Sequence, residues 1–188
     1  MTFSRKARIL VTKACHRQCA GCCNTYTTIM KHASYIERIA DLPTELDEIM
    51  ITGGEPMLVP ERTQRLSTQI RNRYPASKLY LYSAEYNEAM KNTIPIVDGL
   101  HYTVHEGATL QDITSLNRLQ ELLQSHKAQW REKSFRLYID NRVILPVTIN
   151  PDIWSQVNIS KWFTEQELLD KQPTGLPVGE SLFIYIGT

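Results

Sequence analysis

The chain has 188 residues, 42% of them hydrophobic, and 21 Lys and Arg against 20 Asp and Glu leave a net charge of +1. That is enough apolar material for one sizeable core, and a single domain over residues 1–188 is expected. The balanced charge excludes a globally basic nucleic-acid binder, although a local patch stays open, and no apolar run approaches the ~20 residues that cross a bilayer. The leading "MTFSRKARILVTK" has basic residues with no apolar stretch behind them. No signal peptide is therefore expected, and a soluble cytoplasmic protein with reduced thiols is.

Along the chain, "ARILVT" (7–12) reads as a strand, and residues 26–40 read as helical, with Ile29, Ile36 and Ile39 facing inward. "DEIMIT" (47–52) is a second strand, stopped by "GGEP". Residues 60–74 place Leu66, Ile70 and Tyr74 at helical spacing behind Pro60. "KLYLYS" (78–83) is a third strand, "EYNEAMKN" (85–92) a short helix and "GLHYTV" (99–104) a fourth strand. Ile113, Leu116, Leu119 and Leu123 share one face of a helix over 110–126. "FRLYI" (135–139) is a fifth strand, and Asp140-Asn141 predicts a tight turn into "RVILPVTI" (142–149), a hairpin. The tail is less regular, with a helix expected within "SKWFTEQELLDK" and a last strand at "LFIYI" (182–186).

Repeated strand–helix alternation predicts an α/β fold with a largely parallel sheet. The chain is too short for an eight-fold barrel, which needs ~250 residues. An open, partial βα barrel of five or six strands fits better, with an antiparallel hairpin near its C-terminus. Right-handed crossovers then place every βα loop on one rim. The segment after the first strand and the "GGEP" after the second should meet there.

All four cysteines lie in nine positions, Cys15, Cys19, Cys22 and Cys23. Scattered packing thiols would not cluster so, and spacing this close argues against disulfides. A structural zinc site usually draws its four ligands from two separated pairs, and adjacent Cys22 and Cys23 point in different directions. Three thiolates from one loop suit an iron–sulfur cubane better, leaving one iron without a protein donor. Zinc held by the four thiols, as a non-catalytic structural or interaction module, remains the alternative.

Cys15-x3-Cys19-x2-Cys22 resembles the motif of the radical S-adenosylmethionine superfamily, and "ITGGEP" (51–56) resembles that family's glycine turn. The resemblance implies a [4Fe-4S] cluster on Cys15, Cys19 and Cys22, with S-adenosylmethionine on the open iron. It implies that the Gly53-Gly54-Glu55-Pro56 turn holds the ligand's ammonium, the glycines allowing close approach and Glu55 complementing the charge. The reaction implied is reductive cleavage to a 5′-deoxyadenosyl radical that abstracts hydrogen from a substrate, an oxidoreductase chemistry. The core would span about 7–140, with 141–188 closing or flanking the barrel. One departure stands out: the family usually has an aromatic before the third cysteine, where this chain has Gly21. Tyr26 is the nearby candidate for adenine, and Cys23 reads as a small buried thiol.

Other rim candidates are Ser83 and Glu85 after the third strand, for the ligand's carboxylate or ribose or merely as helix-capping residues. His105 and Glu106 follow the fourth, and His105 reads either as a ribose or substrate ligand or as a satisfied polar residue. Arg136 and Asp140 mark the two ends of the fifth, Asp140 on the rim side. His16 tunes the cluster or points to solvent. Arg5, Lys6, Arg8, Lys13 and Arg17 attract an acidic electron donor such as flavodoxin or ferredoxin, or an anionic substrate, or are solvated surface charge. Trp154 and Trp162 fill the core or cover the open side of the barrel. The substrate could be a small metabolite, a nucleotide or a partner protein that receives a glycyl radical. With no second cysteine group, auxiliary clusters are disfavoured.

Overall fold

The structure, a computed structural model, describes residues 5–19 and 21–187. Met1–Ser4, the start of the stretch read for a leader, lie outside the described residues. Eight strands form one open, wholly parallel sheet: β1 (Lys6–Leu10), β2 (Ser34–Ile36), β3 (Glu48–Thr52), β4 (Lys78–Ser83), β5 (Gly99–Val104), β6 (Ser134–Asp140), β7 (Gln156–Ser160) and β8 (Glu180–Tyr185). Their order is β2-β8-β1-β3-β4-β5-β6-β7, that of a partial, open βα barrel. The helices are α1 (Thr27–Met30), α2 (Pro60–Arg73), α3 (Met90–Thr93), α4 (Leu110–Ser125) and α5 (Glu165–Lys171).

The outer core follows from alternation in the strands. Ile49 and Ile51 of β3, Leu79 and Leu81 of β4, and Leu137 and Ile139 of β6 point outward, under Leu66 and Ile70 of α2 and Leu116 and Leu119 of α4. α4 starts at a capping box, in which the Thr109 side chain and Asp112 satisfy each other's backbone N–H groups. A smaller inner cluster of Leu10, Ile29, Leu176, Leu182 and Ile184 lies on the other face of β1 and β8.

Two predicted elements are corrected. Residues 26–40 are not one helix: α1 has a single turn, and β2 then joins the edge of β8. Ile29 packs in the inner cluster while Ile36 and Ile39 pack in the outer one, and no single helix could serve both faces. Nor is there a hairpin after β6. Residues 142–149 are irregular, β7 takes the free edge of β6 in parallel register, and Pro146 has no N–H for a ladder. Val143, Leu145, Val147 and Ile149 pack against the outer core, filling the place of a crossover helix. Among the described residues the sheet accordingly has eight strands rather than five or six. Among the described residues, no helix is long and apolar enough to cross a membrane.

A side chain of α4 fastens the far end of that long strap. Gln120 of α4 donates to the Thr148 carbonyl (2.9 Å) and accepts from the Asn150 N–H (2.8 Å) and the buried Trp154 indole (3.0 Å). Gln120→Met leaves those groups without partners. It should lower the unfolding free energy in urea by about 1–3 kcal/mol and raise amide exchange across 143–155 first.

Candidate functional site: a cysteine-lined pocket at the sheet's rim

Beyond the ends of β1 and β3 the strand ladder continues into the two motif loops. Val11 N–H donates to the Thr52 carbonyl (2.8 Å), Gly54 N–H to Thr12 (2.7 Å) and Glu55 N–H to Ala14 (2.8 Å). The glycines are required by this approach: a Cβ on Gly54 would lie 2.0 Å from the Ala14 oxygen, and one on Gly53 2.7 Å from that of Thr12. Asn24, next to the last cysteine, donates to the Gly53 carbonyl and closes the loop from the other end.

The loop is also pinned at its middle. Arg17 donates to the Ala84 carbonyl after β4 (2.9 Å) and pairs with Asp112 at the start of α4 (2.5 Å), both side chains largely buried. Reading Arg17 only as one of five basic residues near β1 missed this role, and only its position inside the cysteine run could have signalled it. Arg5, Lys6 and Arg8 are paired as well, with Glu45, Glu48 and Glu180. Lys13 is exposed beside the pocket.

Glu55 is 2% exposed. One carboxylate oxygen accepts from Met57 N–H (2.9 Å) and the Ser83 hydroxyl (2.6 Å), the other from Ala84 N–H (2.9 Å). Burial pushes its carboxyl above the usual range, and these donors pull the other way. Glu55 thus braces the glycine turn against the end of β4, and Ser83 is part of the brace.

These segments enclose a pocket of about 460 Å³ lined by all four cysteines, Gly53, Gly54, Glu55, Ser83, His105 and Trp162. Pro56 is buried in the 3-10 turn behind it, and Tyr26 packs beside the inner cluster, its hydroxyl donating to the Phe163 carbonyl (3.2 Å). Tyr26 therefore holds the residue after Trp162, and Trp162 itself reaches the mouth. The indole stacks on His105 (centroids 5.3 Å, interplanar 14°) and leans on Tyr138, and a Cβ on Gly21 would lie 3.2 Å from the Trp162 Cβ. Trp154 belongs to the core.

Glu85 and Glu106 line an adjoining hollow, Glu85 facing His16 (3.3 Å) and Glu106 pairing with Arg142 (2.6 Å). Asp140 is wholly buried and also held by Arg142. Arg136 lies deeper, on the inner face of the sheet.

Among the described residues, no three Cys, His, Asp or Glu side chains converge on one metal-ion position. All four cysteines nevertheless line the same pocket, and thiolates are the usual ligands of an iron–sulfur cluster. Burial pushes the Cys19 thiol up to about 11 and raises Cys22 as well, so metal uptake must expel protons from both. Cys23 faces a different neighbour, with the Arg8 guanidinium 3.5 Å from its sulfur and the inner cluster beside it.

The sequence profile of the 4Fe-4S single cluster domain matches residues 6–135, well over half of the chain. The chain belongs to this family. No curated protein matches it significantly. The iron–sulfur domain so defined runs from β1 to the start of β6 and includes the cysteine loop, the glycine turn, Ser83 and His105, while Trp162 lies beyond it. Soft thiolates around one pocket, with buried thiols that a cation would deprotonate, fit the cluster this family carries.

Gly54→Ala should break the seam between the motif loops. Iron bound per chain after anaerobic reconstitution should fall several-fold, with a stability loss of about 1–3 kcal/mol or more and far-UV circular dichroism retained. A second expectation concerns pH. Burial pushes the His105 imidazole down from 6.5 to about 4, so the folded chain resists the proton that the unfolded chain accepts. Its contribution to stability is complete above pH 6.5 and is lost as pH falls towards 4, by up to ~1.4 kcal/mol per pH unit. Urea titrations of wild type and His105→Phe across that window should differ by this slope.

Proposed function

We propose that the chain is a radical S-adenosylmethionine enzyme, with its [4Fe-4S] cluster held by Cys15, Cys19 and Cys22. One observation carries this reading: the cysteine loop and the glycine turn are hydrogen-bonded to each other and face the same pocket. When bound, the cluster supplies one electron that cleaves S-adenosylmethionine to methionine and a 5′-deoxyadenosyl radical, which takes a hydrogen atom from the substrate.

The chain's own groups divide the remaining work. Backbone carbonyls of the Gly53-Gly54 turn receive the ligand's ammonium, and Glu55 keeps that turn in shape, since its two oxygens already serve three donors. Trp162 or its stacking partner His105 offers the flat apolar surface that adenine needs. Tyr26 positions that surface through Phe163. Arg17 keeps the thiols registered with β4 and α4, so that bound groups meet a preformed wall. Cys23 stays outside the ligand set, beside Arg8. An exposed rim at Cys15 and Lys13 gives a flavodoxin- or ferredoxin-type donor access to the cluster.

Protein reconstituted without air should be brown and, with dithionite and S-adenosylmethionine, release 5′-deoxyadenosine. Cys15→Ala, Cys19→Ala and Cys22→Ala should each abolish release, whereas Cys23→Ala should retain it. A colourless protein holding one zinc would end the reading.

A further inference from the structure

Below the rim pocket, the inner face of the sheet carries polar side chains where a closed hydrophobic core would put aliphatic ones. In one register row Tyr82 of β4, His101 of β5 and Arg136 of β6 stand side by side. His101 stacks flat on Tyr82 (centroids 4.6 Å, interplanar 15°), and Tyr138 lies beyond it at 6.3 Å. All four are half-buried, so they line an open trough rather than a sealed interior. Tyr82 also lines the cysteine pocket, so the trough borders it.

The charges on this face do not balance. Lys6 is paired with Glu48 (3.8 Å) and Arg8 with the buried Glu180 (2.7 Å). Arg136 makes no ion pair with any described carboxylate. Its guanidinium is nevertheless held in place. Nε donates to the Ser134 hydroxyl (3.2 Å), and the plane lies over the Tyr80 ring, 4.9 Å from the centroid. To reach Tyr80 from β6 the side chain must cross β5, and it does so where β5 has Gly99, in register with Tyr80 and Ser134. A Cβ at Gly99 would lie 2.2 Å from the Ser134 backbone carbonyl oxygen and 3.0 Å from the Tyr80 ring. Stacking and the Nε bond immobilise the group and leave its two terminal nitrogens for a ligand.

We infer that this trough binds the substrate through Arg136, and that the substrate is a small molecule carrying a carboxylate or phosphate oxyanion. A fixed guanidinium fork matches either group with two parallel hydrogen bonds. His101 leaves that role to Arg136 alone: burial, then the neighbouring guanidinium, push its imidazole down to about 4, so Arg136 is the cation of this row. Tyr80 and Tyr82 are two residues apart on the same strand face, roughly 7 Å. An anion on Arg136 therefore leaves the body of a small molecule reaching toward the cysteine pocket, where hydrogen abstraction would occur. That last clause rests on the radical reading, whereas the binding does not.

The test uses the full chain with its cluster reconstituted, titrated calorimetrically without air with phenyl phosphate and with benzoate. Saturable binding of at least one probe is expected, and the stronger of the two identifies the oxyanion. Arg136→Gln should weaken that binding about tenfold or more, Arg136→Lys less, and Tyr80→Leu, which removes only the platform, several-fold. Circular dichroism and iron content report on the fold of each variant. Binding of neither probe, or equal binding by wild type and the folded Arg136 variants, overturns the inference. Release of 5′-deoxyadenosine without anion binding would sink this inference alone. Arg136-dependent binding without any release would instead remove the radical chemistry and leave the anion site standing.

Discussion

The backbone seam between Thr12–Ala14 and Gly53–Glu55 is the constraint on which the site depends. It is an extension of the β1–β3 ladder past the point where either segment is a strand, and it tolerates no side chain on the turn. Parallel strands at neighbouring positions deliver their following loops to the same rim. Here that proximity becomes a set of short hydrogen bonds that fix one loop relative to the other. The glycines therefore work first on protein backbone, and the pocket wall is the consequence.

Everything else at the rim props this seam from outside. Glu55 ties the turn to β4 through Ser83 and Ala84, and Arg17 ties the cysteine loop to the same Ala84 and to the cap of α4. Four elements thus share one polar network, most of it buried. Buried carboxylates and guanidinium groups are costly unless partnered, and the several partners held by Glu55 and Arg17 specify a single arrangement. That rigidity suits thiols whose ordinary protonation burial favours. The loop cannot collapse around its own sulfurs and keeps them on the wall, available to metal.

Much of this was legible in the sequence, for local reasons. β4 and β5 run over the residues that their β-branched and aromatic runs imply, and α4 carries both its apolar stripe and its capping signal. The rim placement of the cysteines and GGEP followed from βα order alone. What failed was non-local. Ile29 and Ile36 sit seven residues apart, a helical interval, yet they serve opposite faces of the sheet. The alternation of Val143, Leu145, Val147 and Ile149 is that of a strand, but β7 occupies the edge such a strand would need. Nothing in "SLFIYI" announces that it inserts between β1 and β2. Arg17 and Trp162 were ambiguous for the same reason, because their partners lie 95 residues away in one case and across the barrel mouth in the other.

The family match and the structure divide the molecule unevenly, and the division carries meaning. Residues 6–135 contain the thiols, the glycine turn and the brace behind them. Beyond that span lie Arg136 and Tyr138 on β6 and Trp162 on the segment returning over the mouth, which join Tyr80 and Tyr82 within it. Gly99 and His101 are within the matched span, yet they acquire their role only from the strand that follows, one as a gap for Arg136 to cross and the other as its uncharged neighbour. The matched span thus carries the cysteine pocket, and on the proposal above β6 and the segment after it help to select the molecule presented there. On that proposal the selecting group is Arg136, a cation that the fold fixes in place and that no described carboxylate pairs.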